Sequence, residues 1–162
     1  MVEYGGIGGE IRGYLVERCI NTGAIQKGTS AFGGGIVGYV SAEGALGNIK
    51  IHECFNSGNV SSTVGTDITA DFLGGIVATC WGTSNTNYSY VTYCGNTGSV
   101  RNDTSEGGST QAYAGLVANS SNIHISHSYN TGSIHGIRYV AGLAGPIELT
   151  KTYKYLGYCY NT

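Results

Sequence analysis

The chain has 162 residues, of which 11% are charged, with 8 Lys and Arg against 10 Asp and Glu. An average soluble protein has roughly 25% charged residues, and a nucleic-acid-binding domain usually carries clustered basic residues, so this composition argues against nucleic acid as a partner. No apolar run approaches the ~18 residues of a membrane span, and no composition shift divides the chain, so we expect one domain over residues 1–162 without a membrane span.

Two short phrases alternate along the chain. The first is rich in glycine and aliphatic residues and reads YGGIGG from Tyr4, GGGIVG from Gly33, LGGIVA from Leu73, YAGLVA from Tyr113 and VAGLAG from Val140. The second contains asparagine and reads RCINTGAI from Arg18, ECFNSGNV from Glu53, YCGNTGSV from Tyr93, HSYNTGSI from His127 and YCYNT from Tyr158. Internal repeats with a period of about 20–50 residues are typical of solenoids, propellers or arrays.

The segments between the glycines have the composition of strands. Stretches such as IKIHECF and IHISHSY are rich in β-branched and aromatic residues, with apolar residues at alternate positions, whereas helix-forming residues are sparse. The sequence therefore predicts an all-β fold. We favour a β-solenoid of about five coils with 31–40 residues per repeat; coils of three strands suit this length, and a propeller with four-stranded blades is the main alternative.

The asparagine phrase supplies candidates for structural ladders along the solenoid axis. Equivalent residues of successive coils lie about 4.8 Å apart, so stacked asparagines can hydrogen-bond to one another. We expect the asparagine and glycine of each phrase to form a corner in which Gly provides a positive φ, and the cysteine slot to hold free, buried thiols. The predicted ladders are Cys19, Cys54, Cys94, Ser128 and Cys159; Asn21, Asn56, Asn96, Asn130 and Asn161; and Gly23, Gly58, Gly98 and Gly132.

Other residue patterns could carry chemistry, but each has a simpler interpretation. Gly33, Gly35 and Gly38 match a dinucleotide-binding pattern without the helix that such a site needs. On one strand His124 and His127 would point to opposite faces, which argues against a shared metal, and we expect both to face solvent. Asp67 and Asp71 could serve a carbohydrate-active enzyme, but a solvated loop is the favoured interpretation. We therefore expect no catalytic residues, metal or cofactor.

Aromatic residues flank the cysteine slot on both sides, and the chain has 13 Tyr against 3 Phe and 1 Trp. An exposed strip of such residues can stack on sugar rings or on a protein partner, although stacking between coils alone would also explain it. The predicted binding face consists of Phe55, Tyr93, His127, Tyr129, Tyr158 and Tyr160.

The alternation of these phrases resembles the GLUG-type glycine-rich repeats of bacterial surface and secreted proteins, including adhesins and the stalk regions of immunoglobulin A proteases. GGIVG from Gly34, GLVA from Gly115 and SYNTGSI from Ser128 carry the resemblance. It implies an extracellular or cell-surface location and a non-enzymatic structural or adhesive role. Together with the aromatic strip, this role leads us to expect a host glycan or protein as partner.

The sequence also leaves two other roles open. The chain begins within one phrase and stops within the other, so we expect it to be a segment of a longer protein or a subunit that stacks head to tail as a fibre or homo-oligomer. A carbohydrate-binding or carbohydrate-active β-helix is the second alternative.

Overall fold

The computed structural model describes residues 2–13, 15–28, 31–42, 48–63, 70–82, 88–103, 110–146 and 155–162. All regular structure in these ranges is β-strand. The first repeat holds β1 (Val2–Gly5), β2 (Gly8–Arg12), β3 (Leu15–Glu17), β4 (Ile20–Asn21) and β5 (Ile25–Lys27). The second holds β6 (Ala31–Gly34), β7 (Val37–Ala42), β8 (Ile49–His52), β9 (Phe55–Asn56) and β10 (Val60–Ser62).

The same strand order returns in the rest of the chain. The third repeat holds β11 (Ala70–Gly74), β12 (Val77–Gly82), β13 (Ser89–Thr92), β14 (Gly95–Asn96) and β15 (Val100–Asn102). The fourth holds β16 (Thr110–Ala114), β17 (Val117–Ser121), β18 (Ile123–Ser126), β19 (Tyr129–Asn130) and β20 (Ile134–His135). The final described strands are β21 (Val140–Ala141), β22 (Tyr155–Gly157) and β23 (Tyr160–Asn161).

Each strand pairs in parallel with its equivalent in the neighbouring repeat. Five sheets result, with strand orders β1-β6-β11-β16-β21, β2-β7-β12-β17, β3-β8-β13-β18-β22, β4-β9-β14-β19-β23 and β5-β10-β15-β20. This architecture confirms the predicted all-β solenoid. Each of the first four repeats contributes five short strands, so the three strands per coil that the repeat length suggested were too few. The corners divide each repeat into shorter strands than its length alone indicated.

The interior is a column of aliphatic and sulfur-containing side chains. Its main cluster combines Ile36, Ile76 and Leu116, which occupy equivalent positions, with the alternating inward residues of β8, β13 and β18. Ile49 and Ile51 of β8 are both buried, whereas Lys50 between them is exposed. This alternation follows from the pleat of a strand. Each Å² of apolar surface that it removes from water stabilises the fold by roughly 25 cal/mol.

The two repeated phrases pack against each other inside each coil. A Cβ atom added at Gly35, Gly75 or Gly115 would lie 2.1 Å from a carbonyl oxygen of the next repeat and within 2.4 Å of an asparagine Cγ. The asparagine in contact with Gly35 is Asn56, and Gly75 contacts Asn96 in the same way. The glycine phrase therefore lacks side chains because the asparagine ladder and the next backbone fill that space.

Candidate functional site

The predicted asparagine ladder is present along the whole described stack. The Nδ2 atoms of Asn21 and Asn56 each donate to the Oδ1 of the next asparagine at 2.8 Å, and those of Asn96 and Asn130 do so at 2.7 Å. The sequence separations of these pairs are 35, 40, 34 and 31 residues, which span the predicted repeat lengths. Each of these Nδ2 atoms also donates to the carbonyl of the glycine two residues on.

The glycines of the asparagine phrase correct one expectation. None of Gly23, Gly58, Gly98 and Gly132 has a φ in the left-handed region. Glycine is required there by close approach, since a Cβ at Gly58, Gly98 or Gly132 would lie 2.0–2.1 Å from the carbonyl oxygen of the glycine in the preceding repeat.

Positive φ occurs instead at the residue that precedes the cysteine slot. Five non-glycine residues adopt φ values of 49–54° at this position: Arg18, Glu53, Tyr93, His127 and Tyr158. A left-handed conformation costs an L-residue roughly 1–2 kcal/mol. Its recurrence at all five equivalent positions shows that the chain turns a corner here, and the turn directs these five side chains outward.

The cysteine slot is internal, as expected. Cys54, Cys94 and Ser128 are buried, while Cys19 and Cys159 at the two ends are partly buried, and all five cysteines of the chain are free. Each slot residue donates to the carbonyl oxygen two residues earlier, at 3.3 Å for Cys54 and 2.8 Å for Ser128. A thiol hydrogen bond with Cys54 and burial raise the pKa of Cys94, which keeps this thiol protonated and unreactive.

The five corner residues form the first of two exposed columns, here called the corner column. At one end Arg18 donates to the Glu53 carboxylate at 3.1 Å, with both side chains exposed. At the other end the rings of Tyr93, His127 and Tyr158 stack, with centroids 4.7 and 4.9 Å apart. The column therefore passes from charged to aromatic along the solenoid.

A second column lies just beyond the cysteine slot and contains Ile20, Phe55, Gly95, Tyr129 and Tyr160. The Tyr129 and Tyr160 rings are nearly parallel, with centroids 5.3 Å apart. Gly95 interrupts the column, and a Cβ there would lie 2.4 Å from Cζ of Tyr129, so the Tyr129 ring lies over the space that Gly95 leaves.

The two columns border an open groove of about 500 Å³. Its lining residues are Arg18, Ile20, Glu53, Phe55, Tyr93, His127 and Tyr129. Four of the six residues of the predicted binding face thus meet in one groove. The other two, Tyr158 and Tyr160, extend its aromatic walls by stacking on His127 and Tyr129.

A second groove of about 760 Å³ lies beside the first, on the outer face of β3, β8 and β13. It is lined by Leu15, Glu17, Asn48, Lys50, His52, Tyr90 and Thr92. On the same face the His124 ring lies between those of Tyr90 and Tyr155, with centroid distances of 5.3 and 4.4 Å; it is tilted against Tyr90 and stacked on Tyr155. Sequence reasoning missed this surface, although the alternation of buried and outward residues in β8, β13 and β18 would have identified it.

The structure bears out the expectation that His124 and His127 face solvent and corrects the expectation that they point to opposite faces. His124 and His127 both lie on the outer surface, because β18 ends at Ser126 and His127 adopts the positive-φ corner that breaks the alternation of the strand. Their rings belong to separate stacks. Among the described residues no group of three or more His, Cys, Asp or Glu side chains could hold a metal ion.

The acidic pair also differs from expectation. Asp67 lies outside the described residues, and Asp71 is in β11 with 1% exposure, so it is not part of a solvated loop. Asp71 forms an ion pair with Lys27, which is fully buried. An internal carboxylate with an internal partner does not form the exposed acidic groove that a glycosidase would need.

Comparisons with known proteins identify no relative of this chain. The chain matches no family model, no curated protein and no solved structure. Within its described part, no helix has the length and apolar character needed to cross a membrane.

Proposed function

We propose that this chain is a non-enzymatic β-solenoid that serves as a structural and adhesive region of a cell-surface or secreted bacterial protein and binds its partner through the aromatic groove. The observation that carries the proposal is the convergence of Phe55, Tyr93, His127 and Tyr129 on one open groove. Aromatic side chains are costly to leave in water, and here Phe55 and Tyr93 are 38% and 50% exposed.

The chemistry of the groove suits a glycan. Sugar rings present apolar faces that stack on tyrosine, phenylalanine or histidine, and their hydroxyl groups need polar partners. The exposed Arg18 and Glu53 at the charged end of the corner column provide a donor and an acceptor next to the rings. The rings of Tyr93, His127 and Tyr129 are held in place because each stacks on its equivalent in the next repeat, so little entropy of these side chains is lost on binding.

Location at the cell surface rests on the resemblance to glycine-rich repeats of bacterial surface proteins. A solenoid suits a stalk because each repeat contacts only its neighbours, so length is gained by adding repeats. The same resemblance supports the adhesive role.

A glycan array followed by titration calorimetry tests the proposal. We expect the full chain to bind at least one class of glycan and Tyr129→Ala to weaken binding by about tenfold, since loss of the ring removes apolar contact worth about 1.4 kcal/mol at roughly 25 cal/mol per Å². Trp81→Ala is the matched control, because Trp81 is an exposed aromatic residue (40%) outside the groove. Equal losses of glycan affinity in the two variants, or an affinity unchanged by Tyr129→Ala, would refute the groove as the binding site.

A further inference from the structure

A buried polar cluster lies inside the corner between the first and fifth strands of the repeats. It consists of Lys27, Asp71, Asn102 and Tyr113, each with at most 1% exposure. Around it lies an apolar cluster formed by Val60, Leu73, Val100 and the ring of Tyr113 itself. A charged lysine and a charged aspartate are thus held away from water, which is rare for these residue types.

Lys27 reaches Asp71 because the sequence leaves room for its side chain. The equivalents of Lys27 in the next repeats are Ser62 and Asn102, both shorter. In the adjacent column Gly33 stands where the later repeats have Leu73 and Tyr113. A Cβ at Gly33 would lie 3.4 Å from Cδ of Lys27 and 2.8 Å from Cδ2 of Leu73. The missing side chain at Gly33 therefore opens the path by which the lysine stem crosses the corner.

The two oxygens of the Asp71 carboxylate have different environments. Oδ2 accepts hydrogen bonds from Nδ2 of Asn102 and from the hydroxyl of Tyr113, both at 2.8 Å. Oδ1 accepts no hydrogen bond of normal geometry among the described residues, and Nζ of Lys27 lies against it instead. One oxygen is therefore held by two donors, and the other faces the amine.

Two donors at this distance are arranged as in an oxyanion hole. Such donors stabilise the negative oxygen that develops when a nucleophile adds to a carbonyl carbon. Burial and the charge of Asp71 raise the pKa of Tyr113, so its hydroxyl stays protonated at neutral pH and remains a donor. Burial also removes the hydration that favours separated charges, which lowers the cost of passing a proton from the ammonium group to the carboxylate.

We infer that Lys27 and Asp71 form an intramolecular isopeptide bond that ties the first repeat to the third. A proton passes from Nζ to Oδ1, which leaves a neutral amine and a neutral carboxylic acid. The lone pair of Nζ attacks Cγ, and the resulting oxyanion on Oδ2 is stabilised by Asn102 and Tyr113. A second proton from Nζ reaches Oδ1, the Cγ–Oδ1 bond breaks, and one water leaves. The ammonium and carboxylate become one amide and one water, with no redox partner required.

Intact-mass spectrometry of the reduced, full-length chain tests the bond directly. We expect a mass lower than that of the sequence by one water, and a protease digest that contains a branched peptide joining Lys27 to Asp71. A folded protein with the full mass of its sequence would overturn the proposal. A lost water that maps to other residues, or that persists in Lys27→Met, would overturn it as well.

Two further variants keep the test informative if Lys27→Met does not fold. Asp71→Asn should release ammonia instead of water and give a cross-linked product with the same mass as the cross-linked wild type. Tyr113→Phe keeps the ring but removes one donor to Oδ2, so the bond should form at least about tenfold more slowly. A folded Asp71→Asn protein that keeps the full mass of its own sequence, or an unchanged rate in Tyr113→Phe, would contradict the proposed chemistry.

Discussion

In each repeat of the ladder, one asparagine side chain both fixes the corner of its own coil and bonds to the neighbouring coils. The side chain of Asn96 donates to the Gly98 carbonyl and to Asn130, and its Oδ1 accepts from Asn56. Its equivalents in the interior repeats are likewise buried, whereas Asn161 is exposed. A buried amide with all these partners is strongly constrained, because removal of the side chain leaves several polar groups without hydrogen bonds.

Replacement of Asn96 by alanine should therefore lower the free energy of unfolding by about 3 kcal/mol, the cost of leaving two or three buried polar groups unsatisfied. Asn161→Ala, at the exposed end of the same ladder, should cost less than about 1 kcal/mol. Urea unfolding of both variants measures the difference. Similar losses in the two proteins would show that the ladder contributes little.

Two glycines in different surroundings, Gly98 and Gly28, can be compared by replacing each with alanine. A Cβ at Gly98 would lie 2.1 Å from the Gly58 carbonyl oxygen, whereas a Cβ at Gly28 would meet no atom within 4 Å. Gly98→Ala should destabilise the fold by about 3 kcal/mol through overpacking against backbone. Gly28→Ala should change stability by no more than about 1 kcal/mol, because it only stiffens the unfolded chain. Thermal unfolding that ranks the two variants in the opposite order would contradict this account.

A buried thiol predicts how stability depends on pH. Burial raises the pKa of Cys80 to about 11 from a usual value of 9.0, so the folded state holds this proton more tightly than the unfolded state. The resulting stabilisation is complete below about pH 9 and is lost as the pH rises towards 11.

Between pH 8 and pH 11 the wild type should lose about 2 kcal/mol more stability than Cys80→Val, which has no titrating group at this position. Valine is a suitable replacement because Val40 is the equivalent residue in the preceding repeat. Guanidinium unfolding at several pH values provides the measurement. Parallel pH profiles for the two proteins would rule out Cys80 as the cause.

For the strands, the sequence predicts which residues are neighbours in successive repeats better than it predicts the direction of their side chains. The repeat spacing alone placed Asn56 above Asn21 and Phe55, Tyr93, His127 and Tyr129 on one side of the coil. Parity within a strand failed for His127, because the positive φ at this corner rotates the side chain outward after the strand has ended. Such a corner is unfavourable for tyrosine, histidine or glutamate, so residue type gave no signal for it.

The environment of Asp71 could not be predicted from the sequence. Its burial depends on Lys27, 44 positions earlier, and on the space at Gly33. Pairing of strands from different repeats can be inferred from the period, but side chains that cross a corner between repeats leave no periodic pattern. The second groove could have been predicted from the sequence, since its residues on β8 and β13 alternate with buried residues of the same strands.

The two ends of the described stack carry most of the exposed large apolar residues. The first repeat exposes Val2, Ile7, Leu15 and Ile20, while the last strands expose Val140, Tyr155, Leu156, Tyr158 and Tyr160. Leu156 is the equivalent of Ile125, which is buried where another repeat covers it. Open strand edges with apolar neighbours favour association.

We therefore expect the isolated chain to self-associate end to end as its concentration rises. Leu156→Lys should weaken this association at least about tenfold by placing a charge in the contact. Sedimentation velocity over a range of concentrations measures the effect, and Lys50→Ala, on the side of the solenoid, serves as the control. A wild type that stays monomeric throughout would argue against the fibre role.

The direction of the asparagine bonds gives the solenoid an electrical polarity. From Asn56 to Asn130 each ladder amide accepts through Oδ1 from the preceding repeat and donates through Nδ2 to the following one. Within the ladder, Asn21 only donates and Asn161 only accepts. Their dipoles are aligned in a row, and aligned hydrogen-bonded dipoles polarise one another. The axis thus carries partial negative charge at Asn21 and partial positive charge at Asn161, so the two ends of the rod differ in the ions that they attract, independently of any charged side chain.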